Sequence, residues 1–259
     1  MRRQPFLRPI VRAFHIWMIC AFGLIAVDTD AIAGKTRVAV ASNYTSAAKA
    51  IGVLFEKETV HSVIFSFGAT GQLYTQITQG APYDVFLAAD QARPARAVEN
   101  GYAVRGSRFT YAEGRLVLFT RDASRKIGKS TLTEGKLLRI AIANPVTAPY
   151  GVAAVSVMQA LGVYKALRPH LVRGMNIAQT YQFAFTGNAS LGFVALSQIA
   201  GRTGGSHWLV PNDLHSAIAQ DAVLLRHGAQ NVAAHAFLAF LKGNDTRRVS
   251  EMFGYSAGP

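Results

Sequence analysis

One cysteine, Cys20, stands among the 259 residues, and acidic residues are scarce: 14 against 27 lysines and arginines. A lone cysteine excludes an internal disulfide and a cysteine-built metal cluster. After residue 33 no apolar run is long enough to span a bilayer. The net charge of +13 comes without a basic block, a zinc-finger spacing or a basic helix, which argues against nucleic acid as partner. Catalytic patterns are missing too. There is no Gly-x-Ser-x-Gly elbow and no His-Glu-x-x-His. The seven histidines (15, 61, 170, 207, 215, 227 and 235) are scattered, and none has a clear carboxylate partner.

What is present begins with an export signal. Arg2, Arg3, Arg8 and Arg12 precede an apolar stretch from Ala13 to Val27, and Ala31-Ile32-Ala33 before Gly34 makes a small-x-small cleavage site. Residues 1–33 read as a secretory signal peptide, not as a membrane anchor. Pro5 spoils the spacing of a twin-arginine signal, and Ile19 before Cys20 argues against a lipidation site. Removing residues 1–33 leaves 23 basic and 12 acidic residues, a net +11, and no cysteine.

From Thr36 onward strand and helix patterns alternate, which predicts an α/β fold with parallel strands flanked by helices. Val38-Ala39-Val40-Ala41 reads as a buried strand, and Ala48, Ile51, Leu54 and Phe55 follow at helical spacing. Between them lie Ser42 and Asn43, both residue types that cap helices. Taken alone, capping explains them; the same corner also offers free backbone N–H groups to an anion. A second corner of this build follows Ser62–Phe67, at Gly68-Ala69-Thr70-Gly71. A third follows Leu138–Ala143, where Asn144-Pro145 and Ala148-Pro149-Tyr150-Gly151 open another helix. In such sheets ligands sit beyond the carboxyl ends of strands. None of the three corners carries a carboxylate; Asp84 is explained by strand alternation and Asp90 by helix capping. Residues 121–136 read as a surface loop.

Six segments in order resemble the periplasmic molybdate-binding proteins of ABC importers, which are type II periplasmic binding proteins. They are Ala41-Ser42-Asn43-Tyr44, Ser66–Gly71, Gln79–Phe86 with Ala88-Ala89-Asp90, Gly114–Leu118, Ile142–Pro145 with Ala148–Gly151, and Leu191–Leu196. The resemblance implies two lobes, each a mostly parallel sheet flanked by helices, with the ligand in the cleft between them. Lobe I would comprise residues 34–114 plus 214–259, and lobe II residues 115–213. Hinge strands are expected near Gly114–Leu118 and Val210–Ile218. It further implies an anion held by Ser42 and Asn43, by the hydroxyl of Thr70 (where serine is more usual), by Tyr150 and by Ile177. Many members place a binding tyrosine where Ala195 stands here and alanine where Tyr150 stands. This chain is similar to the other subgroup, so Tyr150 is expected to supply both its N–H and its phenol.

Those residue types suit a fully deprotonated tetrahedral dianion. It accepts hydrogen bonds and donates none, and hydroxyls and N–H groups can all serve it. Phosphate, which carries a proton near neutral pH, would need an acceptor that is not evident. The expectation is therefore capture without chemistry: an exported monomer that binds molybdate or tungstate and docks on a membrane permease. It would have no catalytic residue, no cofactor, no direct cation ligand and no nucleic-acid partner. The same fold could instead serve sulfate or another small oxyanion, or a sensor subunit.

Overall fold

The computed structural model describes residues 33–134 and 138–256. The signal-peptide reading of residues 1–33 therefore lies, but for Ala33, outside the described residues. Strand β1 (Lys35–Ala41) passes through one short helical turn, Ser42–Tyr44, into helix α1 (Thr45–Glu58). There follow β2 (Ser62–Gly68), α2 (Thr70–Thr78), β3 (Val85–Leu87), α3 (Ala92–Glu99) and β4 (Phe109–Gly114). The middle of the chain forms β5 (Leu116–Thr120), α4 (Lys129–Thr133), β6 (Ile140–Ala143), α5 (Pro149–Ala160) and α6 (Tyr164–Leu167). It continues with β7 (Leu171–Gly174), α7 (Ile177–Thr186), β8 (Leu191–Ala195) and β9 (Ser206–Leu209). The chain returns in β10 (Ile218–Leu224), α8 (Val232–Leu241) and α9 (Asn244–Met252).

These strands form two five-stranded sheets, ordered β2-β1-β3-β10-β4 and β7-β6-β8-β5-β9. Each is mixed. A parallel trio built from βα units is extended by one reversed strand, β10 in one sheet and β5 in the other, and beyond it by β4 or β9, which runs with the trio again. The chain changes sheets across a single residue, Arg115, and comes back between Leu209 and Ile218.

Both faces of each sheet are covered, so the central strands are apolar throughout rather than alternating. Val38 and Val40 pack with Ile51, Phe55 and Phe237 on one face of the first sheet, while Ala39 joins Leu73, Phe86 and Val223 on the other. In the second sheet Leu116, Leu118, Ile140, Ile142 and Phe193 share a core with Val157, and Val117, Phe119 and Val194 pack against Tyr181. Register then aligns the corners. Ala41 lies opposite Gly68, and Ala143 opposite Gly174, so the helices after β1 and β2, and those after β6 and β7, start side by side.

Two local readings change. The stretch 121–136, read as loop, contains α4, held down by buried Leu132. Strand β7 was not foreseen; its four residues, Leu-Val-Arg-Gly, are too few and too exposed to show a period of their own.

Candidate functional site

Four helix starts meet where the two sheets face each other: the turn Ser42–Tyr44, α2, α5 and α7. Residues Ser42, Asn43, Thr70, Tyr150 and Ile177 all line one small cavity there, with a volume of about 10 Å³. That is far under the roughly 300–1,000 Å³ of pockets for organic ligands. All five residues are buried.

The helix starts are left open in an unusual way. The residues preceding the first three are Ala41, Ala69 and Ala148, and alanine has no side-chain acceptor for the orphan N–H groups. Only α7 is capped, by Asn176, whose Oδ1 accepts from the Gln179 N–H at 3.0 Å. No acidic residue occupies the first turn of any of the four, although the helix dipole favours one there. The partial positive charge of four helix ends thus faces a cavity without a counter-charge.

The capping reading of Ser42 and Asn43 is corrected here. The helical turn begins one residue earlier than residue preference suggested, with Ala41 in the capping position. Ser42 Oγ is buried and has no hydrogen-bond partner among the described residues. Asn43 turns its side chain away, donating from Nδ2 to Gln220 Oε1 at 2.8 Å and to the Tyr255 hydroxyl at 3.0 Å. Its carbonyl accepts from Ser197 Oγ and from the Tyr255 hydroxyl, both at 2.8 Å. What Asn43 leaves for a ligand is its backbone N–H, which lies in the first turn.

Thr70 Oγ1 accepts the Ala89 N–H at 3.1 Å, and among the described residues no acceptor takes the hydroxyl hydrogen. The N–H of Tyr150 belongs to the first turn of α5, and that of Ile177 to the first turn of α7. Pro149 at the first position of α5 has no N–H to contribute, which makes Tyr150 the first donor of that helix. The Tyr150 phenol reaches back between Gly114 and Gln220, and Gln220 Nε2 lies 3.4 Å from its oxygen. Burial raises the phenol's pKa well above its ordinary value near 10, so the group stays protonated.

Asp84 and Asp90 lie outside this cavity lining. Asp90 stands one residue before the capping position, which Gln91 holds, and accepts the Arg93 N–H at 2.9 Å and pairs with the Arg93 guanidinium. Asp84 is buried at the start of β3 and accepts from the Arg37 N–H at 2.7 Å and Asn231 Nδ2 at 3.1 Å. His227 Nδ1 also lies 2.7 Å from Asp84 Oδ1, so one histidine does have a carboxylate partner. Nothing in the sequence could show it, since the two are 143 residues apart. Among the described residues no group of three or more His, Cys, Asp or Glu is placed to hold a metal ion.

Sequence reading also missed Gln220, Ser197 and Tyr255, which support the cavity from behind. Gln220 left the one usable signal: with its neighbour Asp221 it interrupts a strand whose other residues are apolar.

A family model described as bacterial extracellular solute-binding protein matches residues 36–256. The chain belongs to this family. It is 54% identical over 232 residues to the molybdate-binding protein ModA of Rhodobacter capsulatus, covering 90% of this chain and 92% of that relative. It is 47% identical over 242 residues to the molybdate-binding protein ModA of Azotobacter vinelandii, covering 92% and 96%. Its fold is similar to that of the solved Azotobacter vinelandii periplasmic molybdate-binding protein, with a TM-score of 0.83, 35% identity, and coverage of 86% of this chain and 100% of that one. The two-lobe architecture is thus that of the periplasmic binding proteins.

Proposed function

We propose that this solute-binding protein captures molybdate, and tungstate by the same donors, outside the cytoplasm and delivers it to the permease of an ABC importer. The observation that carries the reading is Ser42: a buried hydroxyl without a partner among the described residues, in a cavity rimmed by four helix starts and no carboxylate. The identity to two molybdate-binding proteins supports the choice of ion.

The donor set follows. The hydroxyls of Ser42 and Thr70, the phenol of Tyr150 and the N–H groups of Asn43, Tyr150 and Ile177 surround the anion. Taking a dianion out of water is costly unless its oxygens are matched. Each hydrogen bond to a charged group contributes about 1.5–3 kcal/mol, so six donors make a tight site. A protonated phosphate would bring a hydrogen with no acceptor to receive it. Residues 34–114 with 214–259 form one closing body and residues 115–213 the other, hinged near Gly114–Leu118 and Val210–Ile218. Residues 1–33 direct the chain to the periplasm, where it works as a monomer. It performs no chemistry on its cargo and uses no cofactor; molybdenum enters as the oxyanion, with no side chain bound to the metal.

Calorimetry against molybdate, tungstate, sulfate and phosphate tests the reading. Preference for the first two is expected, and equal or stronger binding of sulfate overturns it.

A further inference from the structure

Gln220 is fully buried on β10, next to the register shift that separates it from Asp221. Its Oε1 accepts from Asn43 Nδ2 at 2.8 Å and from the Tyr111 hydroxyl at 3.1 Å, whose single hydrogen is shared with the Ala88 carbonyl at 3.2 Å. Those two donors orient the amide and turn Nε2 toward the Tyr150 phenol at 3.4 Å. An amide nitrogen only donates, so the phenol oxygen is the acceptor of this contact and its hydrogen must go elsewhere. Among the described residues no acceptor takes it. The contact spans the two lobes, because β10 belongs to the first sheet and α5 packs on the second. Gly114 makes room for it: a Cβ there would lie 2.5 Å from Gln220 Nε2 and collide with the phenol.

We infer that Gln220 is a positioning residue for anion capture, holding Tyr150 as an obligate donor into the cavity when the lobes close. The site is thereby restricted to ligands that present a bare oxygen at the phenol, and Gln220 sets this without touching the ligand. The inference rests on the oxyanion reading of the cavity.

A double-mutant cycle of Gln220→Met and Tyr150→Phe, measured by calorimetry with molybdate, tests it. Each single substitution should weaken binding about tenfold or more, and the double variant no further than Tyr150→Phe alone. Losses that multiply independently would mark Gln220 as packing and overturn the inference. Undiminished binding by Tyr150→Phe would overturn it as well, since a reversed amide would then be taking the phenol's hydrogen. Should Gln220→Met fail to fold, Gln220→Glu keeps the shape and supplies an acceptor. It should weaken binding more than Tyr150→Phe does, and wild-type affinity in that variant overturns the inference. A wild-type chain that ignores molybdate but binds sulfate overturns the functional reading alone; the same cycle with sulfate then decides this one.

Discussion

The Gly71 N–H donates to the Thr147 carbonyl at 2.8 Å, tying the first turn of α2 to the loop that enters α5. The two backbones flank helices of the two sheets and meet directly beside the cavity. A Cβ on Gly71 would lie 3.0 Å from Thr147 Cα and 3.1 Å from its carbonyl oxygen. Gly71→Val should therefore obstruct closure without unfolding either lobe. Its expected result is weaker binding of every oxyanion by a similar factor, with a larger radius of gyration in X-ray scattering at saturating molybdate.

Ser42→Ala separates binding from folding. Because Ser42 Oγ has no partner among the described residues, its removal costs them no hydrogen bond and relieves a buried polar atom. The melting temperature without ligand should hold or rise. Molybdate affinity should fall about tenfold to a hundredfold, and with it the rise in melting temperature that saturating molybdate gives the wild-type chain.

Alkaline stability should report the buried phenols. Burial pushes the pKa values of Tyr44, Tyr111, Tyr150 and Tyr255 upward, so the folded chain keeps protons that the unfolded chain releases near pH 10. Stability from this source is fully present below about pH 10 and is lost as pH rises from there toward the folded-state values. Thermal melts should show no pH dependence from the phenols between pH 8 and 9 and a steep fall above 10. Tyr44→Phe should make that fall shallower.

Asp84→Ala should do the opposite of Ser42→Ala. It removes the side-chain acceptor of the part-buried Arg37 N–H, one of the two acceptors of the Asn231 amide, and the partner of His227. A loss of about 2–3 kcal/mol in urea unfolding is expected, with molybdate affinity unchanged.

The sequence disclosed the three strand-to-helix corners because each is a local pattern: an apolar run, then small residues, then helical spacing. Its limits were equally physical. Ser42 and Asn43 are of capping type, and only coordinates could reveal that Ala41 holds the capping position while Asn43 looks backward to Gln220 and Tyr255. Those partners lie 177 and 212 residues away, so no spacing rule connects them. The antiparallel strands that turn both sheets mixed are likewise set by where the chain returns, as β10 does after the whole second lobe. The fourth helix start, at Ile177, adjoins the third only because β6 and β7 pair in register through Ala143 and Gly174.

Alanine before three of the four helices has a consequence for the empty carrier. Closing an unfilled cleft would press four positive helix ends together with nothing of opposite sign between them, whereas a bound dianion reverses that repulsion. On the proposed reading, cargo would act as the counterion of closure. A transporter that recognises only the closed shape would be spared cycles spent on vacant carriers.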